Sequence, residues 1–91
     1  MENKQKEEKE IQILYLRDGT ILISEIEKIS SVLGDPDCVL IKPHCIGEDQ
    51  TLSPWLMGYT LEDKLMTLSE NILTMADPTP TLLEKYIIHT K

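Results

Sequence analysis

The chain has 91 residues, with 9 Lys plus Arg against 16 Asp plus Glu and a formal net charge of -7 at pH 7. That length holds one domain with one modest core, burying roughly 60–65% of the surface the unfolded chain exposes. The acidic balance is the opposite of a nucleic-acid footprint, so an anionic partner needs a local site. Hydrophobic residues make up 41% and aromatics 4%, with no Phe, which leaves Ile, Leu, Val and Met to build a core suited to strands.

Residues 1–10, "MENKQKEEKE", alternate Lys and Glu without an apolar stripe and read as a charged, flexible N-terminal arm. From Ile11 the character changes to strand, and residues 11–91 form a single domain. "YLRDGTILI" places Asp18-Gly19 between two strand-forming runs, the strongest short-range hairpin signal. A two-residue loop there pairs Leu16 with Ile21 and Leu14 with Ile23 across the ladder. Both faces near the turn are then apolar, so the hairpin belongs in a curled sheet with one face on its own core and the other covered. The second strand, "TILISEIEKIS", has an imperfect alternation that predicts a bulge or strong bend near Ser24 to Ile26.

"SVLGDPD" is a loop by its Gly, Pro and Asp, and "CVLIKPHCI" is a third strand whose Pro43 belongs on an edge or at a distortion. Within one regular strand Cys38 and Cys45 point to opposite faces, about 23 Å apart, which excludes a disulfide. "TLSPWLMGYTL" predicts a further strand with Trp55, Met57, Tyr59 and Leu61 on one face. "LMTL" and "ILTMA" flank a tight turn at Ser69 to Asn71. The strands run over residues 11–76, and a C-terminal helix follows over about 80–90. Thr79 is its N-cap, Pro80 its first residue, and Leu82, Leu83, Tyr86 and Ile87 its apolar stripe. About five strands and one helix make a mainly β, strongly bent small barrel.

Little in the chain suggests catalysis. "HC" at His44-Cys45 sends two possible ligands to opposite faces of a strand, and no paired metal-ligand spacing occurs. The acidic pairs Glu48-Asp49 and Glu62-Asp63 flank turns, where charges are solvated. There is neither a phosphate-cradling Gly-rich loop nor a nucleophile elbow. The protein is not expected to be an enzyme or to need a metal or cofactor. With no apolar run near the roughly 18 residues of a membrane span and no signal-peptide core at the start, it reads as cytoplasmic with reduced thiols.

The run "ILYLRDGTILISEIEKIS", the loop with "GDPD" and the strand "CVLIKPHCI" resemble the first motif of the Sm-like family, which includes Sm and LSm proteins and bacterial Hfq. "LMTLSENILTMADP" resembles the second. "PWLMGYT", "NILTMADPTP" and "YII" are also similar to small Sm-like proteins encoded by bacteriophages. The resemblance implies a five-stranded Sm-like (SH3-like or OB-like) barrel assembled into a homo-oligomeric ring of five to seven subunits. It also implies binding of single-stranded, uridine-rich RNA, or a ribonucleoprotein scaffold or chaperone role, through loops around a pore. Gly19 and Asp35 match the family, and the pore-loop candidates are Asp35, Asp37, Cys38, Ser69, Glu70 and Asn71. The departures are Ser24 at a bend where a glycine is common, Cys38 where the loop Asn falls, and Ser69-Glu70 where a basic pair falls. The helix follows the strands instead of preceding them. Glu70 repels phosphate, so the alternative is a ring-shaped protein-interaction module, such as a phage scaffold or host-factor mimic, that binds no RNA.

Overall fold

The computed structural model describes residues 10–91. The charged arm expected over residues 1–10 lies outside them except for Glu10, whose carbonyl accepts from the Ile26 N–H at 2.9 Å. Six strands follow: β1 Ile11–Leu16, β2 Ile21–Lys28, β3 Cys38–Ile46, β4 Leu52–Pro54, β5 Lys64–Thr67 and β6 Ile72–Ala76. A 3-10 turn, Ser69–Asn71, joins β5 to β6, and helix α1, Pro80–His89, ends the chain. All strand pairs are antiparallel, in the order β4-β3-β2-β1-β6, with β5 also on β3. β4 takes the Ile46 end of β3 and β5 the Cys38 end. The sheet is curled but not closed, because β5 and β6 are not paired with each other.

The first hairpin is one residue longer at its turn than the Asp-Gly signal predicts. Tyr15 opposes Ile21 and Leu14 opposes Leu22. The loop is therefore Arg17-Asp18-Gly19, closed by Leu16 N–H to Thr20 O and Gly19 N–H to Leu16 O, both 2.9 Å. Gly19 has φ +92, the left-handed conformation that a three-residue hairpin loop places on glycine. A one-residue shift in register exchanges the faces of the second strand. Leu22 thus joins Leu14 and Leu16 in the inner core, and Ile23 turns outward, fully buried beneath α1.

The expected distortion near Ser24 is present, with the extra residue on β3. Ile23 opposes His44 and Glu25 opposes Ile41, so Lys42 and Pro43 together face Ser24. Lys42 takes a left-handed φ of 54, and Pro43, which has no N–H to contribute, sits where the ladder is already broken. The additional residue reverses the alternation of β3. Cys38 is consequently in the inner core and Cys45 packs against that same core, correcting the expectation that they face opposite ways. Both are free thiols.

The fourth predicted strand is interrupted. Only Leu52–Pro54 pairs, and Trp55 adds one bond to Pro43 O at 2.9 Å before the chain leaves the sheet. Leu56 and Gly58 have φ of 62 and 90, which no strand accommodates. Trp55 packs against the inner core, whereas Met57, Tyr59 and Leu61 are exposed on the excursion. Lys42 N–H to Asp63 O, 2.6 Å, returns the chain to the edge of β3.

Two apolar layers result. The inner one contains Leu14, Leu16, Leu22, Ile26, Cys38 and Leu40. The outer one joins Ile23 to Leu82 and Tyr86 of α1, flanked by Ile11, Ile13, Ile46 and Leu52. Thr79 caps α1 by accepting from Leu82 N–H at 3.2 Å, with Pro80 at the first turn. The predicted stripe holds at Leu82 and Tyr86 and is half-buried at Leu83, but Ile87 is 47% exposed.

Candidate functional site

Four of the six predicted loop residues converge. Asp35, Asp37, Ser69 and Glu70 line one cleft of about 600 Å³ between the β2–β3 loop and the 3-10 turn. Asp37 joins its two sides, since its carboxylate accepts from Ser69 N–H and from Ser69 Oγ–H, each at 2.7 Å. These two bonds, the side-chain one first, hold the Asp37 carboxyl below its ordinary value, and Lys28 adds a smaller Coulombic pull. The main chain repeats the connection: Asp37 N–H reaches Thr67 O at 3.2 Å, and Asp37 O accepts from Ile29 N–H at 3.0 Å. Asp37 thus caps the 3-10 turn from a distant segment and fixes the cleft.

Asp35 is exposed in the loop that forms the other wall, held by its N–H to Val32 O at 3.0 Å. The remaining two predicted residues leave the cleft. The Cys38 side chain turns into the core and contacts Thr67 O at 3.3 Å; burial, then the nearby Asp37, raises its thiol pKa. That makes it a packing residue. Asn71 lies on the far side of the turn, beside Arg17, Asp18 and Trp55 around a smaller hollow of about 230 Å³.

Sequence reasoning missed three contributors. Val32 and Leu33, 70% and 103% exposed, form an apolar lip of the cleft; the signal was two adjacent aliphatic residues within a Gly-Pro-Asp loop. Arg17, in the first hairpin loop, donates from Nε to Glu70 O at 2.8 Å, and its N–H donates to Asn71 O at 2.9 Å. A cation therefore stands at the turn whose own sequence carries Glu70. Its 53-residue separation from Glu70 left no local signal.

The cleft's side chains offer carboxylates, the hydroxyls of Ser30, Ser31 and Ser69, and an apolar lip. Among the described residues, no three His, Cys, Asp or Glu side chains gather as a metal site. No described helix is long and apolar enough to cross a membrane. The site and fold together define a small, mainly β domain with an open antiparallel sheet and one C-terminal helix. The chain belongs to DUF6561, a family of unknown function whose profile matches residues 9–91. Comparison with curated proteins finds no match.

Proposed function

We propose that the protein is an Sm-like subunit that assembles edge to edge into a homo-oligomeric ring of five to seven copies and binds a protein ligand in the cleft beside Ser69–Asn71. The observation that carries the reading is the open seam of the sheet. β5 and β6 are both edge strands, and Met66, Leu73 and Met75 on them are 60%, 53% and 46% exposed. Edges of this composition are prone to pair with another chain. Pairing β5 of one copy with β6 of the next is a heterologous contact that closes when the rotation per step divides a full turn. The strand path β6-β1-β2-β3-β5 and the short polar turn between the last two strands support the Sm-like assignment.

An acidic cleft with an apolar lip is suited to a basic, partly apolar peptide and unsuited to phosphate. Light scattering tests the assembly: a mass of several subunits at micromolar concentration is expected, and a monomer overturns the ring.

Single-stranded RNA is the second reading, favoured by Arg17 at the turn. It predicts oligouridine binding that weakens steeply with salt and is lost in Arg17→Ala. Titration of labelled oligouridine at two salt concentrations decides between them, since absence of binding at low salt leaves the protein ligand.

A further inference from the structure

The bulge of β3 leaves main-chain groups without ladder partners; Ser24 Oγ–H, 3.2 Å from Ile41 O, serves one of them from within the sheet, and α1 adds further partners. Tyr86 Oη lies 2.9 Å from Ile41 O and 3.0 Å from Lys42 O, and accepts from Glu25 N–H at 3.2 Å. His44, 7% exposed, sits in the same seam with Nδ1 2.8 Å from Lys42 O. Its ring meets His89 edge-on at 4.9 Å between centroids and Tyr86 at 5.8 Å. The ammonium of Lys42 reaches over the helix end to Thr90 O at 3.2 Å.

We propose that this seam is a pH-operated clasp, in which protonation of His44 releases the C-terminal half of α1 from the sheet and uncovers the apolar face around Ile23. A carbonyl can only accept, so neutral His44 carries its proton on Nδ1 and its bond to Lys42 O is complete. A second proton charges a ring already removed from water. The surroundings offer it little compensation. From α1 it meets His89 and the Tyr86 phenol; Lys85 on that helix donates to Gln50 O, and Glu84 is exposed. β3 supplies Lys42, a like charge. β4, Leu52–Pro54, has no titratable side chain. Of the carboxylates, Asp49 accepts from Thr51, and Glu25 of β2 meets Tyr86 through its main-chain N–H while its charge, after burial, helps to raise the pKa of the Tyr86 phenol.

The direction of the effect follows. Burial, foremost, and then the charge of His89 lower the His44 pKa, against the opposing bond to Lys42 O. Once α1 is released, the ring regains an ordinary value near about 6.5. The released form then binds more protons, so docking strengthens as pH rises and weakens as pH falls below about 6.5. Each unit between the two pKa values changes the released-to-docked ratio about tenfold, until the docked-state pKa is passed.

Hydrogen exchange on the full chain tests the clasp through the amides of residues 83–89, corrected for intrinsic rates. Opening is expected to rise as pH falls from 7 to 5, by up to about tenfold per unit below about 6.5, with a matching gain in fluorescence of an apolar-surface dye, and to stay level in His44→Gln. Equal opening at both pH values, or an equal rise in His44→Gln, overturns the proposal. If His44→Gln is already released at pH 7, the wild-type His44 imidazole is titrated by NMR instead. A midpoint below about 6.5 at which α1 is released sustains the clasp, and a midpoint at or above about 6.5, or a titration that leaves α1 docked, overturns it.

Discussion

The two sides of the sheet handle the same problem in opposite ways. On the helix side, Ile23 is sealed under Leu82 and Tyr86, and the Tyr86 hydroxyl serves the carbonyls of Ile41 and Lys42 and the N–H of Glu25. On the seam side, a cavity of about 390 Å³ is lined by Ile26, Cys38, Ile72, Leu73 and Met75. Among the described residues, the single α-helix thus covers a backbone irregularity and the β5 and β6 edges are left uncovered. A buried bulge with orphaned main-chain groups is costly wherever the protein is, whereas an open edge is costly only until another strand arrives. The closed side is therefore where stability is concentrated, and the open side is where the proposed pairing would add to it.

Deleting residues 80–91 is the strongest way to break this comparison. Leu82 and Tyr86 are each worth about 1.5–3 kcal/mol of burial, a large share of the roughly 5–15 kcal/mol of a typical domain. Loss of the cooperative thermal transition is expected; retention of a sharp melt means that the closed side does not hold the fold.

Tyr86→Phe keeps the ring and removes only the hydroxyl. It is expected to cost about 1–3 kcal/mol in denaturant unfolding, and no change in midpoint would show that the bulge satisfies itself. Gly19→Ala comes next, because φ +92 is strained for a residue with a Cβ even though the space around it is open. About 1 kcal/mol is expected.

Asp37→Asn probes the cleft between the two sides. Its carboxyl is lowered by its Ser69 bonds, so the wild type holds this contribution above the unfolded value of about 3.9 and loses it as pH falls through the folded one. The variant should have a smaller effect than Tyr86→Phe at neutral pH and a flatter stability profile in acid. Chemical denaturation from about pH 6 down to pH 3 reads both. A profile as steep as that of the wild type would remove Asp37 from the capping role.

Leu73→Lys sharpens the comparison at its gentlest point. Leu73 is 53% exposed on an edge, so the fold should shift by no more than about 0.5 kcal/mol, while a lysine on the edge opposes strand pairing. Light scattering should then report a smaller assembly, with the melt lowered only by what the assembly contributed. An unchanged assembly would place the interface elsewhere.

Local chemistry made much of this architecture readable. Thr79-Pro80 started α1 where capping rules put it, the polar Ser69-Asn71 segment formed its turn, and the apolar runs became strands, because each depends on neighbours within a few residues. The four candidates from the resemblance that line the cleft lie on two short loop stretches. Tertiary structure decided what depends on distant neighbours. Asp-Gly is compatible with a two- or a three-residue loop, and the choice rests on which of Leu22 and Ile23 each layer takes. The extra residue opposite Ser24 fell on β3, where Pro43 made the missing N–H harmless, and that single step placed both cysteines against one core. The guanidinium at the 3-10 turn comes from Arg17, on a different hairpin. Backbone propensity is set within a few residues, but register, face and charge neighbourhood are set by packing among segments tens of residues apart, and a linear pattern carries little of that information.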